Sequence, residues 1–177
     1  MKKALYTLTT TFLASTTSAI FAGDRIGDFA LIDNQGTQHH MAWYDDQHAV
    51  VILPQANGAT DASALSDLED LKESYADQGV VFFLINPGME TDREAVSQDL
   101  ASMGVELPVL MDDAQLVAEA LGFTRLDEAV VYNPKSFELI YRGPTGSELE
   151  AAVQRALDGS DDSLVTMTTD GSEIEYT

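Results

Sequence analysis

The chain contains no cysteine among its 177 residues. That absence excludes disulfides, a lipid-anchoring lipobox and every reaction that passes through a sulfur nucleophile. Its stability must come from packing alone. Basic residues are scarce as well: nine Lys and Arg stand against thirty Asp and Glu, a net charge of −21. Such a balance repels nucleic acid and anionic membrane surfaces. The acids are spread over Asp67, Glu69, Asp70, Glu73, Asp112, Asp113, Asp161, Asp162 and beyond. Spread acids read as a solvation device, as in proteins exposed to high salt, rather than as a cation trap. A Gly-x-Ser-x-Gly elbow, a phosphate-cradling glycine loop and the EF-hand spacing are all missing, so three common chemistries have no support.

Long apolar runs are also few. The only extended one lies at the N-terminus, where Lys2 and Lys3 precede residues 4–21 and then Ala22 and Gly23. A positive start, a short apolar core and small residues at the end describe a secretory signal peptide over residues 1–22. Cleavage after Ala22 or after Ala19 fits. The stretch is interrupted by Thr9, Thr10 and Thr11, too polar for a stable membrane span, and no other segment qualifies. Removal of residues 1–22 takes two bases and no acids, leaving 155 residues with seven bases against thirty acids. That length suffices for one domain with a real core.

The remaining chain alternates strand and helix patterns. Residues 24–36 alternate apolar and polar and turn at Asn34-Gln35-Gly36, a short strand or hairpin arm. Residues 49–53 and 80–85 are continuous apolar runs, as strands covered on both faces require. Between them Leu65, Leu68, Leu71 and Tyr75 recur at helical spacing. Thr91 with Glu94, and Ser147 with Glu150, have the spacing of capping boxes opening two further helices, to about Met103 and Leu157. Residues 107–111 read as a strand, and 113–121 as a helix stopped by Gly122. Residues 129–132 and 138–141 flank the turn Asn133-Pro134-Lys135-Ser136, a hairpin. The order β-α-β-α-β-α-β-β-α predicts one α/β domain, a mixed central sheet with helices on both faces. A polar connector at 158–163 and an alternating stretch at 164–176 make an acidic C-terminal extension over 158–177.

Three ordered stretches carry a family resemblance. They are Gly27 with Phe29, Leu31, Asp33 and Gly36; the strand Val50-Val51-Ile52 with a helix closing on Tyr75-Ala76-Asp77-Gln78-Gly79; and Leu107-Pro108-Val109-Leu110 followed by Gly122, Thr124, Arg125 and Tyr141-Arg142-Gly143. Together, over about residues 23–157, they resemble the thioredoxin-like superfamily, in its redoxin (peroxiredoxin-like) branch of thiol peroxidases and thiol-disulfide oxidoreductases. The resemblance implies a thioredoxin-like fold and an antioxidant or disulfide-exchanging activity. It also implies reactive cysteines at the N-terminus of the first long helix, where the dipole and free amides lower a thiol pKa.

Here that place falls at Gly58-Ala59-Thr60-Asp61, none of which can form a thiolate. Asp61 reads instead as a helix N-cap. The family's cis-proline position falls at Leu126-Asp127, where the loop should be trans, because cis bonds without proline are costly. Some exported relatives end in Gly-Cys-x-Ile, and Gly171-Ser172-Glu173-Ile174 places Ser172 near that cysteine. His39 and His40 are adjacent and so point to opposite faces of a strand, poor geometry for one metal. With His48 they read as surface residues beside a loop. Trp43 with Tyr44 reads as sealing the core edge.

The sequence therefore predicts a cysteine-less, degenerate redoxin-like domain, without cofactor or metal site, acting as a non-catalytic binding or accessory protein of the periplasm. Its partner would be a protein or peptide. Two other readings stay open: a redox protein working through a metal held by its acids and histidines, and a salt-adapted remnant whose retained property is solubility.

Overall fold

Continuous apolar runs become the central strands, and their alternation divides the core in two. The computed structural model describes residues 25–88, 92–159 and 163–177. Residues 1–22, read from sequence as a signal peptide, and Thr91 lie outside the described residues. Strands β1 (Ala30–Asp33), β2 (Gln38–His40) and β3 (Ala49–Pro54) lead into helix α1 (Ala62–Tyr75) and strand β4 (Val80–Asn86). Helix α2 (Arg93–Met103), strand β5 (Val109–Met111) and helix α3 (Leu116–Ala120) follow. Strands β6 (Ala129–Tyr132) and β7 (Leu139–Gly143), helix α4 (Ser147–Asp158) and strand β8 (Val165–Thr166) complete the order.

All eight strands form one mixed sheet, ordered β2-β1-β5-β4-β3-β6-β7-β8. The central β5, β4 and β3 are parallel, flanked by antiparallel β1 and β6. Side chains alternate faces along a strand. Val51, Leu53, Phe82 and Leu84 therefore meet Leu65 and Leu68 of α1, Val96 and Leu100 of α2, and Leu149 and Val153 of α4. The opposite set, Val50, Ile52, Phe83 and Ile85, packs against Met41, Ala118 of α3 and Phe123. Each such side chain removed from water is worth about 1.5–3 kcal/mol. The second face has thin helical cover, and Leu164, Ile174 and Tyr176 of the C-terminal extension pack there to complete it.

The Ser147–Glu150 capping box read from sequence does not form, and the Thr91–Glu94 box falls on a residue outside the described ones. Helix α2 is capped by Asp92, whose carboxylate accepts from the Glu94 amide at 2.9 Å. Helix α4 starts after Gly146 at φ +102°, with no side-chain cap. Glu150 is drawn away instead, accepting from the Tyr75 hydroxyl at 2.8 Å across to α1. Helix α3 is shorter than its apolar pattern. Gln115 takes a left-handed conformation at φ +60°, and the Asp112 carboxylate accepts from the Ala118 amide at 2.7 Å, so the helix opens only at Leu116. Gly122, at φ +71°, ends it as the sequence predicts.

Trp43 does not seal the core. Trp43 is 59% exposed, and its ring meets the edge of His40 at 5.6 Å between centroids. In the 3-10 turn Met41–Tyr44 the residues three apart share a face, so Met41 and Tyr44 turn inward and Trp43 outward. Among the described residues no helix is long and apolar enough to cross a membrane.

Loss of the α2 cap in Asp92→Ala should cost about 1 kcal/mol in urea unfolding, while Ser147→Ala should stay within about 0.5 kcal/mol of the parent. The Tyr132 hydroxyl is fully buried with no hydrogen-bond partner among the described residues. Tyr132→Phe should therefore raise stability by about 1 kcal/mol, read from the same unfolding curves.

Candidate functional site

The parallel strands β5, β4 and β3 end on one edge, the usual place for chemistry in an open α/β sheet. Beyond β3 the chain makes a tight turn before α1. The Thr60 hydroxyl accepts from the Ala56 amide at 2.8 Å, and the Ala59 amide returns to the Ala56 carbonyl at 3.0 Å. Gly58 lies at the tip of this turn at φ +69°, its amide donating to Asp99 at 3.3 Å. Below the turn runs a buried amide ladder. Asn86 Nδ2 donates to Gln55 Oε1 at 3.0 Å, and Gln55 Nε2 to Asn57 Oδ1 at 3.0 Å. Buried amides cost free energy unless paired, and these are paired with one another and with the loop.

Gly58, Ala59, Thr60 and Asp61 thus come together at the N-terminus of α1, with Gly58, Ala59 and Asp61 exposed. Asp61 caps the helix, its carboxylate accepting from the Ser63 amide at 2.9 Å. That bond holds the Asp61 carboxyl below its ordinary pKa. Asp127 arrives from 66 residues away and accepts from the Asp61 amide at 3.1 Å. Two carboxylates of the chain therefore take amides at the positive end of α1, where an external anion would otherwise be attracted. Asp127 stands at φ +67°, and no cis peptide bond occurs among the described residues. Burial pushes the Asp127 carboxyl up; the Asp61 amide opposes this, and the Asp61 charge adds to it.

The other side of Asp127 is covered by the C-terminal extension. Arg125 and Glu173 form an antiparallel bridge, with the Leu126 amide donating to the Ser172 carbonyl at 2.8 Å and the Ile174 amide to the Thr124 carbonyl at 2.9 Å. A Cβ placed on Gly171 would fall 1.7 Å from the Leu126 carbonyl oxygen and 3.1 Å from Asp127 Oδ2. Only glycine fits at that crossing. Ser172 itself is exposed and contributes its backbone. Further along, Gln115 Nε2 donates to the carbonyls of Pro87 at 2.9 Å and Glu175 at 3.0 Å, while its oxygen accepts from the Thr177 amide at 3.1 Å. The Tyr176 hydroxyl reaches the Phe123 carbonyl at 2.7 Å.

Several of these residues carried no readable signal. The family resemblance places Asp127, but its bond to Asp61 needs the fold. Gly171 is read in sequence only as the start of the Gly-Ser-Glu-Ile stretch, with no sign that a backbone crossing requires glycine there. Glu128, 7% exposed, accepts from the Thr124 amide at 3.0 Å and lies 3.6 Å from Arg142. Arg142 also donates to the Leu121 and Gly122 carbonyls at the end of α3.

The histidines stand apart from this edge. His39 is not a surface residue. Its ring packs against Phe83 at 4.9 Å, with Nε2 at 2.9 Å from Asp33 and Nδ1 at 2.7 Å from the Tyr44 hydroxyl. The β1–β2 hairpin sets His39 opposite Leu31, and Asp33 is buried there by accepting from the Gln35 and Thr37 amides. His40 pairs with Asp28 at 2.7 Å, and His48 is exposed beside Gly79. Among the described residues no three His, Asp or Glu side chains are grouped closely enough to hold a metal ion.

Because the folded pKa of Asp127 is raised, the native state binds that proton more tightly than the unfolded chain. Its contribution to stability therefore falls as pH rises through the raised value, above the ordinary 3.8. Asparagine tolerates the left-handed backbone and can still accept from the Asp61 amide. Asp127→Asn should therefore raise the urea midpoint relative to the parent at about pH 7, and the gain should vanish at about pH 3, where both side chains are neutral.

No protein-family model matches the chain, and no curated protein sequence does. Solved structures do match. A hypothetical protein from Sinorhizobium meliloti 1021 superposes with a TM-score of 0.75 at 26% identity, covering 86% of this chain and 93% of its own. The thioredoxin domain of a thiol-disulfide oxidoreductase from Bacteroides vulgatus gives 0.64 at 12% identity, over 75% of this chain and 95% of its own. Peroxidoxin BcpB from Mycobacterium tuberculosis gives 0.58 at 18% identity, over 77% and 93%. The chain has the thioredoxin-like fold, and it carries that fold without a single cysteine.

Proposed function

We propose that this protein is exported and serves in the periplasm as a non-catalytic binding or accessory protein, with a protein or peptide as its partner. Export rests on Lys2, Lys3 and the apolar residues 4–21 before Ala22. The absence of catalysis rests on one observation above the others. At the N-terminus of α1 the Asp61 and Ser63 amides are taken by the carboxylates of Asp127 and Asp61. Covalent thiol chemistry needs a nucleophile stabilised there, and the chain supplies two internal acceptors and no sulfur. Retention of a complete two-faced core around this edge supports a role for its surface. An acidic surface makes nucleic acid an unsuitable partner.

Purified protein lacking residues 1–22 should neither reduce insulin with a dithiol donor nor consume hydrogen peroxide with any thiol donor. Turnover above the buffer background in either assay overturns the reading. The full-length chain expressed in a Gram-negative host should appear in the osmotic-shock fraction, shortened by 22 or 19 residues; retention of an intact N-terminus in the cytoplasm overturns the export assignment.

A further inference from the structure

We propose that the loop strand Thr124–Leu126 is a docking edge for an extended peptide, and that residues 170–175 of the chain hold that place in cis. The inference rests on the binding-protein reading and names the partner's chemistry: a glycine, then one residue, then an acidic and an apolar residue.

The pairing is that of an added β-strand. Two main-chain bonds, from the Leu126 and Ile174 amides, bracket the facing pair Arg125 and Glu173. In an antiparallel ladder such a bracketed pair brings its side chains close together. Arg125 Nη2 indeed meets Glu173 Oε1 at 2.9 Å, while Nη1 donates to the Gly171 carbonyl at 2.8 Å. One guanidinium thus reads both a carboxylate and a backbone position two residues before it. Leu126 supplies a steric filter, since its carbonyl leaves no space for any side chain opposite it. Main-chain bonds supply affinity in strand addition, and side-chain positions supply selection.

The internal segment is an imperfect occupant. The hydroxyl of Thr169, which leads into the segment, is buried with no hydrogen-bond partner among the described residues. An orphaned hydroxyl is a cost that release refunds. Ser172, Glu173 and Glu175 are exposed, so the pairing carries little apolar burial of its own beyond Ile174 and Tyr176. The edge also touches the α1 terminus directly, because Asp127, next to Leu126, accepts from the Asp61 amide. Displacement at one place therefore reaches the other.

The test uses the full chain without residues 1–22, as parent and as Gly171→Val, which places a side chain against the Leu126 carbonyl. The probe is a fluorescein-labelled synthetic peptide with the sequence of residues 168–177, followed by anisotropy. The peptide should bind the variant at least about tenfold more tightly than the parent, whose edge is available only for the fraction of time its own segment is released. The same peptide with valine for glycine should not bind the variant. Hydrogen exchange should show the Leu126 and Ile174 amides protected in the parent and exposed in the variant. If Gly171→Val does not fold, Glu173→Lys opposes Arg125 instead, with the same outcomes expected. Equal binding to parent and variant, no binding to a folded variant with an exposed Leu126 amide, or unchanged protection in the variant each overturn the proposal. Peroxide or insulin turnover would overturn the non-catalytic reading while leaving peptide binding to be judged by its own measurement.

Discussion

A helix terminus carries unpaired amides that something must satisfy, and in this protein the chain does so from within. Asp61 accepts from Ser63, and Asp127 accepts from Asp61. The surrounding features follow from the second of these bonds. It fixes the loop after α3 against the start of α1, and the left-handed backbone at Asp127 aims the carboxylate. The loop so held offers the Leu126 amide and Thr124 carbonyl outward, where Ser172 and Ile174 meet them. A substitution removing sulfur from α1 would by itself leave an open anion site; the carboxylate from the loop turns that opening into a structural joint.

Much of the architecture was legible because it depends on local patterns. Val50 to Leu53 and Val81 to Ile85 are apolar without interruption, so a strand covered on both faces is the only economical reading. Gly122 was legible because a left-handed helix stop needs no long-range information. The Ser147–Glu150 capping box fails for the converse reason. Glu150 has the right spacing, but Tyr75, 75 residues earlier, is a better partner, and spacing cannot report it. His39 failed similarly. Beside a loop it looked exposed, yet Asp33, Tyr44 and Phe83 enclose it once the hairpin folds onto the sheet.

The candidate site was half legible. Its α1 end could be counted from Tyr75, and the N-cap role of Asp61 follows from residue type and place. Its other half is built from Gln115, Leu126, Asp127 and Gly171, which gain meaning only from contacts far apart in the chain. The acidic surface belongs to the same picture. Few cations exist, and several are committed to backbone carbonyls or buried acids: Arg142 at the end of α3, Arg25 on the Ser136 carbonyl, Arg125 on Gly171. With net charge of −21, excess repulsion must be borne by packing and by dissolved salt.

The grip of Gln115 on Glu175 and Thr177 has a consequence for the order of assembly. Those contacts join residues about sixty positions apart along the chain. Pairings of large sequence separation pay their loop-closure entropy late. The sheet and its helices can therefore consolidate first, with the segment around Glu175 closing over them afterwards. Until that closure the Leu126 amide and the Thr124 carbonyl lack the strand partner that Ser172 and Ile174 supply in the folded chain.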